Sequence, residues 1–361
     1  MMDKNKIAVR YGMDMQQMVL DLMRYADIKS ELKDGMKIAL KPNLVVASEP
    51  SNGATTHTEI LEGVLMYLQE SGDYDITIME GSWVGDNTRR AMRVCGYDTL
   101  AQKYGVKTLD LKKDTFHIYK GIRVCDAPMN ADYLINLPVL KGHCQTTMTC
   151  ALKNMKGTLP DAEKRRFHAE GLHVAIATLG TIIKPNVTIV DGICGDLDFE
   201  EGGNPIPMNR ILLGFDSVLI DTCVCRMMGI DTDEVPYIKL AAQFGAGSMD
   251  FMDDTLIELN DASNAGRLPV RSRKAKALAR YTDEREACSA CYGSLIHALN
   301  RLDEMGRLGW LNEKVCIGQG FRGVEGCPLG VGNCTKGCKD SLKGCPPRAD
   351  QIMEFLMDHM G

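Results

Sequence analysis

The sequence predicts an α/β protein, with a mostly parallel sheet covered by helices on both faces and a small cysteine-rich module near the C-terminus. The first observation is that short apolar runs alternate with helical patterns through the first two thirds of the chain, which is the order of βα units. The second is the distribution of fourteen cysteines, of which seven fall between Cys288 and Cys345.

The predicted elements follow one another along the chain with the expected change of period. Apolar runs typical of buried strands are Lys6–Arg10, Met36–Leu40, Tyr74–Glu80, Asp132–Pro138, Asn186–Val190 and Ile211–Leu213. Helical spacing of apolar residues is found at Met15–Ile28, Thr58–Glu70, Asn87–Tyr104 and Ser217–Met228. Buried strands separated by helices favour a parallel sheet.

Changes in composition divide the chain into three predicted parts. Residues 1–248 form the α/β domain, 249–287 a polar helical connector, and 288–361 the cysteine-rich module. The connector contains the basic stretch Arg271–Arg280, which we interpret as a solvated helical surface and not as a nucleic-acid-binding arm.

Charge and hydropathy exclude several classes of function. The 361 residues carry a net charge of −6 with a pI near 5.7, so no general basic field exists to hold nucleic acid. No apolar run is long enough to span a bilayer, and the first residues lack the apolar core of a secretory signal. We therefore predict a cytoplasmic protein without a membrane partner, whose reduced thiols serve metal binding more than disulfides. The 14 cysteines and 22 methionines are typical of an organism with little oxygen stress, such as an anaerobe.

The seven cysteines outside the C-terminal module are interpreted mainly as small buried hydrophobic residues. They lie mostly in apolar surroundings, at Cys95, Cys125, Cys144, Cys150, Cys194, Cys223 and Cys225.

The cysteine-rich module has the composition of a cluster-binding unit. It begins with the CxxC pair Cys288 and Cys291, and ends with a GNC segment at Cys334 and a GCPP segment at Cys345. Iron–sulfur clusters are held by cysteine thiolates, and glycines allow backbone N–H groups to approach the sulfurs. From spacing alone, a structural zinc site with four cysteine or histidine ligands remains an alternative.

Polar residues follow several predicted strands, where open α/β sheets bind their ligands. We expect a cleft lined by lysines, in which Lys141 and His143 carry the chemistry and His143 acts as a general acid or base. The residues expected to bind a phosphate or carboxylate group are Lys41, Asn43, His57, Glu80, Lys153, Asn154 and Lys156. Asp191, Asp216 and the turn at Gly202–Gly203 are weaker candidates. The sequence lacks the GxGxxG, P-loop and GxSxG patterns of dinucleotide-binding proteins, P-loop ATPases and serine hydrolases at the expected places.

Several of these segments resemble the family called domain of unknown function 362, over most of Lys37–Ile230. The resemblance rests on KPN, TTHT, IMEGS, ADYLINLPVLKG, ALKNMKG and the segment from Asp216 to Gly229. Members of that family often carry a ferredoxin-like module, but the run CxxCxxCxxxCP is absent here.

The GNC and GCPP segments are similar to short motifs in the cluster-bearing small subunits of nickel–iron hydrogenases and respiratory complex I. That resemblance implies Cys288, Cys291, Cys334 and Cys345 as ligands of one [4Fe-4S] cluster. Three cysteines are left over and keep a second cluster open: Cys316, Cys327 and Cys338.

Three hypotheses about function follow. The first is an iron–sulfur oxidoreductase or electron-transfer protein that binds a small anionic molecule and exchanges electrons with a redox partner protein. The second is a non-redox isomerase or lyase with a structural cluster, which gains support from a distant similarity of the family to the N-terminal domain of the nickel-pincer lactate racemase. The third is a binding or carrier protein, including a zinc-binding one, without catalysis of its own.

Overall fold

The structure is a computed structural model that describes residues 2–266 and 274–360. Its strands, in chain order, are β1 (Ile7–Tyr11), β2 (Lys37–Pro42), β3 (Asp75–Glu80), β4 (Lys107–Asp110), β5 (Phe116–Tyr119), β6 (Ile122–Cys125), β7 (Tyr133–Leu137), β8 (Lys141–His143), β9 (Thr147–Thr149), β10 (Val187–Asp196), β11 (Pro205–Gly214), β12 (Leu256–Glu258), β13 (Thr282–Glu284), β14 (Val315–Ile317), β15 (Leu329–Val331) and β16 (Asp340–Leu342).

The α-helices alternate with these strands through the large domain and then cover the small one. In chain order they are α1 (Met15–Ala26), α2 (Thr58–Ser71), α3 (Thr88–Val94), α4 (Tyr97–Tyr104), α5 (Asp126–Met129), α6 (Ala151–Asn154), α7 (Asp161–Glu170), α8 (Leu172–Gly180), α9 (Ser217–Met227), α10 (Pro236–Gln243), α11 (Lys274–Leu278), α12 (Ser289–Glu304) and α13 (Ala349–Asp358). Among the described helices, none has the length and apolar character that crossing a membrane requires.

The large sheet has eight strands in the order β12-β1-β11-β10-β7-β2-β3-β4. Strand β11 is antiparallel to both of its neighbours, and every other adjacent pair is parallel. The mostly parallel sheet confirms the predicted fold class. Two further pairs, β5 with β6 and β8 with β9, form separate antiparallel ribbons.

Alternating side chains bury both faces of this sheet, as the strand period of two requires. In β2, Ile38 and Leu40 pack in the core that contains residues of α1 and α2, whereas Ala39 belongs to a core on the other face. In β10, Val187 and Ile189 pack on the first face. Helices therefore cover both faces, as predicted.

The long helix predicted at Asn87–Tyr104 is instead two helices, α3 and α4. The break is at Gly96, whose φ of 77° lies in the left-handed region that favours glycine. The helical period continues across the break, so the spacing of apolar residues alone does not reveal it.

The stretch 249–287, predicted as a helical connector, contributes one strand to the large sheet and one to a smaller sheet of four strands. Strand β12 pairs with β1 at one edge of the large sheet, and β13 pairs with β14 in the small sheet. Its helix α11 places Ala275 and Leu278 in the core of the small module. Of the basic stretch Arg271–Arg280, residues 271–273 lie outside the described residues.

The small module is built on a four-stranded parallel sheet in the order β13-β14-β15-β16. One face carries Val315, Ile317, Leu329 and Val331 into a core shared with α12 and α13. The opposite face is covered by a second, smaller apolar cluster that contains Cys316, Phe321 and Cys338. The parallel strands direct the loops that follow them to one edge of this sheet.

A tight backbone contact joins strand β8 to the segment that follows β10. A Cβ atom added at Gly142 would lie 1.8 Å from the carbonyl oxygen of Leu197. Such a separation is impossible, and the obstacle is backbone, which cannot rotate away. Gly142 therefore fixes the distance between the Lys141–His143 strand and the loop that carries Glu200.

We expect Gly142→Ala to lower the thermal midpoint markedly, because overpacking a rigid site costs about 1–3 kcal/mol. Gly309→Ala is the matched control, since a Cβ at Gly309 meets no atom within 4 Å. Differential scanning calorimetry of both variants measures the effect. Equal midpoints for the two variants would contradict the close approach.

Candidate functional site

A buried ion pair lies at the carboxyl ends of β2 and β3. The Lys41 ammonium contacts the Glu80 carboxylate, and both side chains are almost fully buried. Lys41 Nζ also donates to the Asn154 side-chain oxygen at 3.1 Å and to the Pro42 carbonyl at 3.0 Å. Burial lowers the pKa of Lys41 and raises that of Glu80, and their mutual attraction opposes both shifts.

Asn154 connects this ion pair to neighbouring strands. Its side-chain oxygen accepts a hydrogen bond from Asn43 Nδ2 at 2.8 Å, and its Nδ2 donates to Asn136 at 2.7 Å. The short helix α6 that carries Asn154 is held by Asp221, whose two carboxylate oxygens accept the backbone N–H groups of Ala151 and Leu152 at 2.7 and 3.1 Å. These amides would otherwise be unsatisfied at the helix start.

Glu200 is the second buried acid of this site and has four partners, one of which is His143. Its carboxylate accepts hydrogen bonds from Lys153 Nζ at 2.6 Å and from Trp83 Nε1 at 3.1 Å. Its backbone oxygen accepts one from Lys141 Nζ at 2.9 Å. Burial alone raises the pKa of Glu200, but attraction to His143 and Lys153 brings it well below the ordinary value. Glu200 is therefore a carboxylate that neutralises cationic neighbours.

His143 is held as the neutral Nε2–H tautomer. Its Nδ1 accepts the backbone N–H groups of Gln145 at 3.0 Å and Thr146 at 3.1 Å, which leaves the proton on Nε2. That Nε2 lies 2.9 Å from a Glu200 carboxylate oxygen. Burial lowers the pKa of His143 to about 4, in agreement with a ring that cannot take a second proton at Nδ1.

A narrow cleft with a cavity volume of about 60 Å³ lies between the large domain and the start of α12. Three lysines from two segments line it, namely Lys153, Lys156 and Lys164, together with the acids Glu80 and Glu200. The opposite wall is formed by Cys288, Ser289 and Ala290 of the cysteine-rich module.

Lys156 is the cation of the cleft with the least compensation. Within the described parts of the chain it makes no ion pair, and its Nζ lies 3.2 Å from His168 Nε2. His168 Nε2 also lies 3.3 Å from Ser289 Oγ, on the other side of the cleft. Burial, followed by repulsion from Lys153, lowers the pKa of Lys156 to about 7. A bound anion would offset this cost.

The structure brings most of the predicted binding residues to one place. Five of them line the cleft: Asn43, Glu80, Lys153, Asn154 and Lys156.

Four predicted residues are placed elsewhere. Lys41 is buried behind the cleft wall by Glu80, and Lys141 is fully buried with its Nζ bound to the carbonyls of Ala54 and Glu200 at 2.5 and 2.9 Å. His143 is buried against Glu200. His57 pairs with Asp191 instead. A buried lysine needs its own partner, and satisfying it removes it from the surface that a ligand can reach.

Sequence reasoning missed Lys164 and Glu200, and it did not place His168 among the expected binding residues. Lys164 donates to the carbonyls of Gly81 and Ser82 at 2.8 and 3.0 Å, so it closes the end of β3. No local spacing connects Lys164 of helix α7 with β3. Glu200 lies in the EEGGNP turn, where two adjacent acids before two glycines were the available signal.

The four cysteines predicted as cluster ligands come from loops at the carboxyl edge of the small sheet. Cys288 follows β13, Cys334 follows β15 and Cys345 follows β16, while Cys291 lies in the first turn of α12. The thiols act on one another. Burial, and then Cys334 and Cys345, raise the pKa of Cys288, and burial, followed by Cys288, Cys345 and Cys334, raises the pKa of Cys291. We call these four residues the cysteine quartet.

The remaining three cysteines form a second group, the cysteine triad of Cys316, Cys327 and Cys338. Their sulfur atoms all lie within 4.8 Å of one another, so the triad could hold a metal ion. A disulfide joins Cys327 to Cys338, whose Cα atoms are 4.4 Å apart. This pair differs from the expectation that the thiols are reduced. Cys327 and Cys338 lie close together because each stands two residues before one of the neighbouring parallel strands β15 and β16.

The fold and the site together define an α/β protein that has a polar cleft at the carboxyl edge of its sheet and a cysteine-rich C-terminal module. The chain belongs to the family described as Domain of unknown function (DUF362), whose model matches residues 38–226.

The chain is also similar to two known proteins. A thylakoid-associated protein of Synechocystis is 26% identical over 229 residues, which cover 59% of this chain and 70% of that protein. The lactate racemase apoprotein of Thermoanaerobacterium thermosaccharolyticum matches with a TM-score of 0.41 and 10% identity, over 64% of this chain and 59% of its own.

We expect Lys41→Met to destabilise the protein by about 3–5 kcal/mol, because it leaves the Glu80 carboxylate buried without its partner. The double variant Lys41→Met, Glu80→Leu should recover much of that loss. Urea unfolding of the wild type, both single variants and the double variant gives the coupling free energy. Additive losses in the double variant would show that the two charges do not depend on each other.

Proposed function

We propose that this protein is an iron–sulfur protein, in which the cysteine quartet holds one [4Fe-4S] cluster that exchanges electrons with a small anionic molecule in the cleft. One observation carries the proposal: Cys288 belongs to the quartet and also lines the cleft that contains Lys153 and Lys156. A substrate bound by these lysines would lie beside a cluster ligand.

The quartet fits the needs of a cluster. It offers four thiols, which is the usual number of ligands for a cubane. A Cβ atom added at Gly332 would lie 3.9 Å from Cys291 Sγ, so the backbone at Gly332 is near this sulfur. Arg322 interacts most strongly with Cys334 and then with Cys288 and Cys345, which supplies positive charge to a group of thiolates.

When bound, such a cluster supplies one-electron transfer. The chain's own residues would bind and orient the substrate: Lys156 and Lys153 attract an anionic group, and Asn43 and Asn154 add hydrogen-bonding capacity. His168, 3.2 Å from Lys156 Nζ, could accept or return a proton as charge changes.

Lys141 and His143, expected to be the catalytic pair, take an indirect role in this proposal. Both bind Glu200, through its backbone oxygen and its carboxylate respectively. They would thus hold Glu200 in place for Lys153, which reaches the cleft. Lys41 acts in the same way through Glu80 and Asn154.

The exposure of the quartet favours a redox partner protein. Cys345 is exposed, whereas Cys288 and Cys291 are partly buried. An electron would therefore enter or leave on the Cys345 side, at the protein surface, and reach the cleft on the Cys288 side. The partner is proposed as another electron-transfer protein.

A non-redox isomerase or lyase is the second candidate. It is favoured by the Lys156–His168 contact, in which an amine and an imidazole with no carboxylate between them face the same cleft. Such a pair can move a proton next to an anionic group. In this case the quartet would hold a structural metal or cluster and no electron would move.

We expect Cys345→Ser to lose iron, acid-labile sulfide and the visible absorption of the anaerobically purified protein, because a cubane needs all four thiolates for stable binding. Cys316→Ser is the matched control, since Cys316 lies in the triad. Iron and sulfide analysis with EPR spectroscopy measures both. Full iron in Cys345→Ser, or zinc without sulfide in the wild type, would refute the cluster assignment.

The anion site is tested by thermal shift with phosphate or a small dicarboxylate at millimolar concentration. Wild type should gain stability, because a ligand that binds only the folded state raises its midpoint. Lys156→Gln should lose most of that gain. Lys107→Gln is the control, because Lys107 is exposed on the edge strand β4 and pairs with Asp75 of β3. The same gain in wild type and Lys156→Gln would exclude Lys156 from the site.

A further inference from the structure

A Cys–His–Asp arrangement lies outside the cleft. His57 Nδ1 is 2.8 Å from an Asp191 carboxylate oxygen, and His57 Nε2 faces Cys194 Sγ at 3.8 Å. None of these three residues lines the cleft. The order of thiol, imidazole and carboxylate is that of an activated nucleophile, in which the base is oriented by a third group.

Local structure aims these side chains at one another. The pairing of β10 with β11 is irregular between Gly192 and Cys194, and such bulges redirect side chains. Asp191, fully buried, accepts the backbone N–H of Ile193 at 3.1 Å inside the bulge. Its other oxygen accepts the backbone N–H of His57 at 2.8 Å as well as facing the ring. The carboxylate therefore fixes both the bulge and the histidine.

The histidine is not needed for a helix cap. His57 is the N-cap residue of α2, but its side chain makes no capping hydrogen bond. The ring is turned instead between Asp191 and Cys194. Within residues 2–266 and 274–360, the hydrogen-bonding partners of the imidazole are the other two members of the arrangement.

Cys194 differs from most of the other cysteines of the large domain. Cys95, Cys125, Cys150, Cys223 and Cys225 are buried, and burial raises the pKa of each of these thiols. Cys194 is partly exposed and therefore accessible to a small reagent. Accessibility and a neighbouring base are the two features that distinguish reactive thiols from structural ones.

The charges around His57 favour the imidazolium form. Burial opposes the charge, but attraction to Asp191 outweighs it and raises the pKa of His57 to about 11. Cys194 is the other ionisable group that acts on the ring. Burial raises the pKa of Tyr97 of α4, near Asp191, well above its ordinary value, and its hydroxyl donates to the Thr56 carbonyl at 2.6 Å. A protonated ring stabilises a thiolate beside it.

We propose that Cys194 is a nucleophilic cysteine, activated by His57 and Asp191, that reacts with low-molecular-weight disulfides. In this proposal Cys194 reacts as a thiolate paired with the protonated His57 ring, and the thiolate attacks one sulfur of the disulfide. A new S–S bond forms on Cys194, the original S–S bond breaks, and the leaving thiolate departs with its electron pair and takes up a proton. The small disulfide is the oxidant, and no other reactant is required.

The surroundings of the sulfur favour this reaction over acyl transfer. The carbonyl oxygens of Pro50 and Ser51 lie 3.9 and 3.8 Å from Cys194 Sγ. Acyl transfer needs hydrogen-bond donors for a developing oxyanion, and these groups are acceptors. Disulfide exchange develops no oxyanion, so the carbonyls do not oppose it in that way.

The test is the rate at which glutathione disulfide modifies Cys194 in the anaerobically purified full-length protein, followed by mass spectrometry of the Cys194 peptide between about pH 6 and 8. We expect a rate that changes little with pH in wild type, because the proposed pairing with His57 supplies the reactive form of Cys194. An ordinary thiol, with a pKa near ~8.5, gains about tenfold in rate per pH unit over this range.

His57→Gln should lower the rate near pH 6.5 by at least about tenfold and restore the steep pH dependence. His117→Gln is the matched control, because it removes another His–Asp pair, 2.6 Å from Asp126, that contacts no cysteine. It should react as wild type does. Equal rates in wild type and His57→Gln, or a tenfold rise per pH unit in wild type, would overturn the proposal. The wild-type profile decides the question even where His57→Gln fails to fold.

Discussion

The burial of charge at the carboxyl edge of the large sheet is the constraint on which the rest of the site depends. A charged group taken out of water needs a partner of opposite charge or well-placed hydrogen bonds. Glu200 satisfies His143, Lys141 and Lys153 from one turn, and Glu80 satisfies Lys41. The contacts of Glu200 tie strand β8 and helix α6 to one loop, and the Lys41–Glu80 pair joins the ends of β2 and β3. These segments therefore cannot move without leaving a charge buried and unpaired.

The same constraint explains why few of the lysine ammonium groups near the cleft are left without compensating partners. Four lysines near one strand edge would repel one another, and the structure pairs or buries most of them. Lys156 is left with a histidine as its neighbour, and Lys164 with backbone carbonyls and, at 3.7 Å, Asp161. A ligand that carries negative charge would complete the compensation at this point. The local balance, more than the net charge of the chain, thus sets what the cleft can bind.

Much of the fold followed from the sequence because it rests on local patterns. Apolar runs such as Asn186–Val190 marked the strands, and the polar residues after them marked the edge where Asn43, Glu80 and Asn154 meet. Partners that are far apart in the sequence could not be predicted from local patterns. Lys164 reaches β3 from a helix more than eighty residues later, and burial decided that Lys41 and Lys141 turn away from the cleft. Spacing along a chain carries no information about which of several lysines will be enclosed.

The division of the C-terminal cysteines into two groups has a geometric origin. In a parallel sheet, all loops that follow strands lie at the carboxyl ends of the strands, and all segments that precede strands lie at the amino ends. Cys334 and Cys345 follow β15 and β16, whereas Cys327 and Cys338 precede them. Cys288 of the quartet lines the cleft, whereas the triad belongs to the small apolar cluster on the other face of the small sheet. A module with so small a core gains stability from covalent or metal cross-links. The triad, as a disulfide or a metal site, can brace the sheet while the quartet keeps its thiols free for a ligand at the opposite edge.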